Sequence, residues 1–286
     1  MEWIDRLNAS IRYLEDHLTQ EIDYSSAAQI ACCSVCHYQR MFAYLAGIPL
    51  SEYLRRRRMS LAAVDLLAKE KVVDVALKYG YASPTAFNRT FQRVHGVTPS
   101  AVQQGTAAVK AYPPISFAIT VQGVTEMEYR IEKREAFRVV GVSAPMEAEI
   151  EKNFEIVPGL WAQASTDGTL PQLAGMMDSD PKGILGICAC YEEENWRYWI
   201  AAASTQAAPA QMQQLEIPAF TWAVFPGSGP CPESIQTLEQ RIVREWLPTS
   251  GYEYADGPDI EVYLTPNLAD ARFEVWIPVK KSSSMG

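Results

Sequence analysis

At 286 residues, with 48% hydrophobic and 21% charged side chains, the chain is long enough for two cored domains and is neither disordered nor fibrous in composition. No stretch reaches the roughly eighteen consecutive apolar residues of a membrane span, and the opening MEWIDRLNASIRYLEDHL lacks a signal peptide's apolar core, so a cytoplasmic, non-membrane protein is expected. The net charge of −9 is uneven: residues 1–110 carry 13 Lys and Arg against 10 Asp and Glu, while residues 111–286 carry 12 against 24. Between 34 and 110 the ratio is 11 basic to 4 acidic, which points to a polyanion-binding module joined to something else.

Residues 27–51 and 76–100 are two copies of one pattern at a constant offset of 49. Ala27 matches Ala76, Ser34 matches Ser83, Tyr38 matches Phe87 and Arg40 matches Arg89; Phe42, Gly47 and Ser51 match Phe91, Gly96 and Ser100. Each copy reads as helix, tight turn, helix. A short helix ends near Ala31 or Gly80, Ser34 or Ser83 caps the next, and Gly47 or Gly96 ends it. Tyr38, Phe42 and Leu45, like Phe87, Phe91 and Val94, form a buried stripe. Opposite it, Cys36, Gln39 and Arg40 project from the first copy and Thr85, Asn88 and Arg89 from the second. The segment 51–70 predicts an amphipathic helix with Leu54, Leu61, Val64 and Leu67 on its apolar side, and with the arginines at 55–58 facing solvent, phosphate or acids such as Asp65.

Within the first copy, CSVCH (33–37) has the spacing of a covalent haem attachment site. Its setting argues otherwise. Cys33 falls in the turn, and Cys36 and His37 open the following helix pointing about 100° apart. Zinc would need a second Cys or His pair, and none follows nearby. The six cysteines are read as small apolar residues, and no metal or cofactor is expected.

The stretch ALKYGYASPTAFNRTFQRVHGVTPSAV (76–102), together with SVCHYQRMF in the first copy, resembles the paired helix-turn-helix DNA-binding domain of the AraC/XylS family of transcription regulators. The likeness covers about residues 3–105. It implies two recognition helices set into successive major-groove segments of double-stranded DNA, about one helical turn apart. The DNA-binding set is then Ser34, Cys36, Gln39 and Arg40 in the first copy and Ser83, Thr85, Asn88 and Arg89 in the second, with helix starts near phosphate and Arg and amides at base edges. Arg40 and Arg89 are the leading base-contact candidates. An arginine at this position can instead hold such a domain together through a salt bridge, and both readings stand.

The organisation expected is an all-α DNA-binding domain over 1–108, a linker over 109–125 containing Pro113–Pro114 and a short strand, an α+β domain over 126–281, and a tail over 282–286. In the α+β domain a strand-helix-strand-strand order occurs twice. The first copy has a strand pair in 130–146, a helix through NFEIVPGLWAQAS, and strands in GILGICACYE and RYWIAAAS, with EEEN (192–195) as a hairpin rim. The second has QQLEIPAFTWAVFPGSG, a helix in ESIQTLEQRIVREWLPTSG, and strands in PDIEVYLTP and ARFEVWIPV. Two pseudo-symmetric halves with a groove between them follow. AFTWAVFPG, REWLPTSGYE, DIEVYL and EVWIPV, in that order, resemble the GyrI-like small-molecule-binding domain, and an AraC-type domain followed by a GyrI-like one is the layout of Rob-like regulators.

Six of the seven tryptophans lie at or after residue 161, and aromatic faces beside a buried carboxylate suit a lipophilic cation. Glu261 and Tyr263 share one face of their strand, opposite Ile260, Val262 and Leu264. The resemblance makes Glu261 the ligand-contacting carboxylate, with Tyr263, Trp199, Trp222 and Trp276 around the ligand. The competing reading makes the tryptophans sheet core and leaves Glu261 on a solvated face. The function expected is a sequence-specific DNA-binding transcription regulator, not an enzyme, that senses a small aromatic or cationic effector and has RNA polymerase as a further partner. Two alternatives remain open. One is a hydrolase of reactive small molecules using Glu261 as base or nucleophile; no histidine lies beyond His95 to serve a Ser-His-Asp set. The other is a ligand-free protein-interaction module.

Overall fold

In the computed structural model, which describes residues 3–118, 126–147, 150–190 and 196–281, the helical part comprises α1 (Trp3–Asp16), α2 (Tyr24–Ile30), α3 (Val35–Ala46), α4 (Leu50–Leu67), α5 (Val72–Lys78), α6 (Pro84–His95) and α7 (Pro99–Gln104). The caps form where the repeat places them. Ser34 Oγ accepts the His37 amide at 3.4 Å and Ser83 Oγ that of Ala86 at 3.5 Å. Gly47 and Gly96 close α3 and α6 in the left-handed region, at φ 72° and 80°. The turns differ by one residue: Gly80 carries the positive φ in the second copy, but Cys32, not Ala31, carries it in the first.

The α4 stripe differs from the expected one. Val64 and Leu67 are 61% and 49% exposed, whereas Leu54, Met59, Ala62, Ala63 and Leu66 are buried. The small Ala62 and Ala63 face the second unit's core, where they pack with Phe87, Phe91, Val94 and Val102. The four arginines find partners near at hand: Arg55 and Arg56 pair with Glu52, and Arg57 pairs with Glu15 at 2.7 Å. Arg58 donates to the Leu18 and Gln20 carbonyls, while Asp65 takes Lys78 and the Tyr79 hydroxyl instead. Residues 109–118 then lie along α1 and α4 without forming a strand. Asn8 exchanges two hydrogen bonds with Phe117, both at 2.8 Å, and Ser60 Oγ accepts the Tyr112 amide at 3.1 Å. Residues 119–125, the EEEN rim and the 282–286 tail lie outside the described residues.

The rest of the chain supplies β1 (Arg130–Arg134), β2 (Phe137–Pro145), α8 (Ile150–Thr166), α9 (Thr169–Met176), β3 (Ile184–Cys190), β4 (Trp196–Ala203), β5 (Gln213–Ile217), β6 (Phe220–Gly229), α10 (Glu233–Arg241, continued by a π-helical turn Ile242–Trp246), β7 (Tyr252–Tyr254), β8 (Asp259–Tyr263) and β9 (Ala271–Lys281). One antiparallel sheet runs β1-β6-β9-β8-β3-β4-β2-β5, with β7 also on β9. The order is a palindrome about the β3–β8 pair, since β2-β4-β3 mirrors β6-β9-β8. Each half also lends a strand to the other: β1 pairs with β6, and β5 pairs with β2. The tandem strand-helix-strand-strand order is therefore present, with α9 and β7 added.

Alternation along the strands splits their side chains between two faces. On one, Val139, Ile187, Trp199, Trp222, Ile260, Val262 and Trp276 form a core with no helical member among the described residues. β5 at one end of the order and β6 near the other both enter that cluster, so the sheet curls around it. On the other face, Val140, Ile200 and Ala202 pack with Ala164 of α8 and Leu173 of α9. Further along this face, Phe225, Val275 and Ile277 join Ile235 and Val243 in a cluster that also contains Leu7, Tyr38, Met41 and Phe42. The first helix-turn-helix thus shares a core with the sheet, while the second keeps its own.

Candidate functional site

Glu261 stands at the centre of the palindrome, opposite Gly186 on β3 and Val275 on β9. Its face also carries Asp259 and Tyr263 on its own strand. Gly186 makes room there: a Cβ at that position would lie 2.8 Å from Glu261 Oε2 and closer still to the Tyr198 hydroxyl. The Tyr198 and Tyr263 hydroxyls donate to Glu261 Oε2 at 3.1 and 2.9 Å. Trp161 Nε1 in turn donates to the Tyr198 oxygen at 3.0 Å, and its ring meets Tyr263 edge-on with centroids 4.9 Å apart. Burial pushes the Glu261 carboxyl up to about 7, and the charge of Glu239 adds to the rise; the tyrosine donors and Arg40 oppose it.

Above this cluster lies a cavity of ≈ 340 Å³, between Val157, Pro158 and Trp161 of α8 and Ile235, Gln236 and Glu239 of α10. Arg40 and Tyr44 of α3 line it too. A second cavity of ≈ 420 Å³ shares Arg40, Tyr44, Tyr198 and Gln236 with the first, and reaches toward Pro49 and Trp196. Each has the size of a small-molecule site.

The α3 side of the site is held by charge. Arg40 Nη2 is paired with Asp259, and its Nη1 lies 3.9 Å from Glu239 Oε1. The Tyr44 hydroxyl donates to Glu239, and Arg244 donates to the Tyr44 carbonyl. His37 packs on Tyr254 with ring centroids 3.5 Å apart, and its Nδ1 is 3.7 Å from Asp259. Burial, with Arg40 nearby, holds the imidazole well below its usual range, so it is neutral at pH 7.

Residues 130–279 match the family of integron-associated effector binding proteins, and residues 27–105 match a helix-turn-helix domain family. The chain belongs to the integron-associated effector-binding family. With the AraC-type domain ahead of it, this is a Rob-like DNA-binding regulator with a C-terminal effector-binding domain. The right origin-binding protein of Escherichia coli K12 is 25% identical over 292 residues, covering 94% of this chain and 96% of its own length. The transcriptional activator AarP of Providencia stuartii is 37% identical over 89 residues, which cover 31% of this chain and 66% of AarP, just under two thirds. A solved structure of SAV2435 bound to tetraphenylphosphonium is 21% identical, covering 54% of this chain and 94% of its own with a TM-score of 0.48.

The two recognition helices of this regulator sit differently. Ser83, Thr85, Asn88 and Arg89 are exposed on α6. On α3, Ser34 caps the helix and Cys36 lies within it, its side chain outside the described residues; Gln39 is buried and Arg40 turns onto the effector domain. The polar face of the first copy therefore does not project as expected, because the effector domain packs against it. Trp199, Trp222 and Trp276 are corrected as well. They are 6%, 0% and 1% exposed in the helix-free core, on the sheet face opposite Glu261, because each is out of phase with it in the strand alternation.

Of the ligand residues named from sequence, Glu261 and Tyr263 come together; the polar and aromatic part of the wall is completed by Trp161, Tyr198, Tyr44 and Glu239, among others. One of these was legible. Ile235, Glu239 and Ile242 follow at spacings of four and three, so Glu239 interrupts an apolar helical stripe. Among the described residues, no three His, Cys, Asp or Glu side chains are grouped to hold a metal ion, and no helix is long and apolar enough to cross a membrane.

Proposed function

We propose that the effector is a lipophilic cation held in the ≈ 340 Å³ cavity, with Glu261 as its charge partner and Trp161, Tyr198 and Tyr263 as its aromatic wall. The observation that carries this reading is the setting of Glu261, a half-buried carboxyl at the floor of the cavity whose hydrogen bonds come from two phenols. Phenol donors steady a carboxylate without neutralising it, so a cation arriving beside it gains an ion pair in a desolvated site as well as cation–π contact. Tetraphenylphosphonium titrated against tryptophan fluorescence is expected to give a saturable change, and neutral triphenylphosphine oxide a much weaker one. Equal responses to the two would remove the charge-based reading. Turnover of a strained electrophile at Glu261 would favour the hydrolase alternative over binding alone.

In this reading the DNA-binding unit is 1–108 and the effector unit 126–281, RNA polymerase is a further partner, the compartment is the cytoplasm, and the activity is binding without turnover. Ser83, Thr85, Asn88 and Arg89 are assigned to one major-groove segment and Ser34, Cys36, Gln39 and Arg40 to the next. Arg89→Ala is expected to weaken binding to a duplex selected from a random pool by roughly tenfold to a hundredfold, the range of one bidentate base contact. Binding by the parent should fall steeply with salt. A footprint unchanged by the substitution would reassign Arg89 to a structural role.

A further inference from the structure

We infer that Arg40 is a tethered stand-in for the cationic effector: it docks the first recognition helix onto the carboxylates of the effector site, and a bound cation drives it off. The inference rests on the reading of that cavity as a cation site. Arg40 and Tyr44 project from α3 into both cavities, so the helix expected to enter the major groove is also a wall of the ligand site. The guanidinium pairs with Asp259 and approaches Glu239, and Asp259 lies two residues from Glu261 on the same strand face. The matching arginine of the second copy, Arg89, is exposed on α6, so the sequestration is particular to the first unit.

Two physical effects make the docked state displaceable. A cation held at Glu261 repels Arg40 inside a low-dielectric site and competes for the same negative charge. The interface is also imperfectly satisfied: Arg6 Nε, His37 Nε2 and Asp259 Oδ1 are buried without a hydrogen-bond partner among the described atoms, while Arg6 and Asp259 each make an ion pair across the domains. Buried polar atoms left unpaired oppose docking and regain water when the domains part. The apolar cluster shared by α3 and the sheet favours the docked state, so without ligand the helix stays down. Linkage then requires that DNA engaging α3 raise affinity for the cation by the same factor that the cation raises affinity for DNA.

The test uses the full chain, amide hydrogen exchange across α3, and a duplex selected on the Asp259→Asn variant. That variant removes the nearer of Arg40's carboxylate partners, leaves Arg40, Glu239 and Glu261 unchanged, and is close to isosteric. Saturating tetraphenylphosphonium is expected to speed exchange in α3 and to raise wild-type affinity for the duplex by roughly tenfold, a typical coupling. Asp259→Asn should show both effects without ligand and respond little further to it. The same duplex should tighten tetraphenylphosphonium binding to the wild type. Saturable binding that leaves α3 exchange unchanged, or slows it, would overturn the release mechanism while sparing the cation site. No binding, followed by fluorescence, would sink the site reading itself, and unchanged α3 exchange in Asp259→Asn would overturn the Arg40 tether with or without a ligand.

Discussion

Replacing Glu261 with Gln is expected to weaken tetraphenylphosphonium binding by about a hundredfold, the scale of one desolvated charge partner, and to leave triphenylphosphine oxide nearly unaffected. Gln keeps the volume and can still accept from Tyr198 and Tyr263, so the loss isolates charge. The same group predicts a pH profile. Glu261 lies near 7, raised first by burial and then by Glu239, so it is largely protonated at pH 6 and ionised at pH 8. Cation affinity should climb by up to about tenfold per unit as pH rises toward 7 and level off above 8, and the climb should vanish in Glu261→Gln.

Stability carries the opposite sign. A carboxyl whose folded value is raised favours the fold while protonated, and that contribution is lost as pH rises from its unfolded value near 4.5 through about 7. Ligand-free Glu261→Gln should therefore be more stable than the parent at pH 8, by roughly 2–3 kcal/mol, and indistinguishable at about pH 4. Denaturant melts at the two pH values decide it. A parent stability indifferent to pH would mean that Glu261 is solvated.

Trp222 separates core from site. Trp222→Ala is expected to cost about 3–5 kcal/mol by denaturant unfolding, because the side chain is fully buried against Phe220 and Trp276. Trp222→Phe should cost less and leave cation affinity within about twofold, the ring lying on the far face of the sheet from Glu261. The Trp222 indole nitrogen has no hydrogen-bond partner among the described atoms, so Phe removes no polar contact. A large loss of cation affinity in Trp222→Phe, with stability preserved, would return this residue to the ligand wall.

What could be read from the sequence follows the range of the forces involved. The serine caps and glycine stops act within a few residues, so both helix-turn-helix units were legible, including their N-caps. Period-two alternation revealed that Glu261 and Tyr263 share a face. It did not reveal which face the helices cover, and that choice placed Trp199, Trp222 and Trp276 wrongly. Tyr198 rather than its neighbour Trp199 faces Glu261 for the same reason: one step along a strand changes sides. The docking of α3 was not legible at all, since Arg40 and Asp259 are 219 positions apart and neither flank signals the other. The same arginine in the second copy, with an equivalent local sequence, faces outward.

The exchange of β1 and β5 gives the effector domain an unusual mechanical wiring. The segment leaving the helical part runs into β1, which is zipped not to the half it precedes in sequence but to β6 of the other half. β6 leads directly into α10, the helix that carries Glu239. The strand that opens the effector domain and the helix that carries Glu239 are therefore joined through β6, in the half of the sheet opposite β2 and α8. The two parts of the regulator are joined by side chains of α1 and α3 and also through the backbone that enters β1.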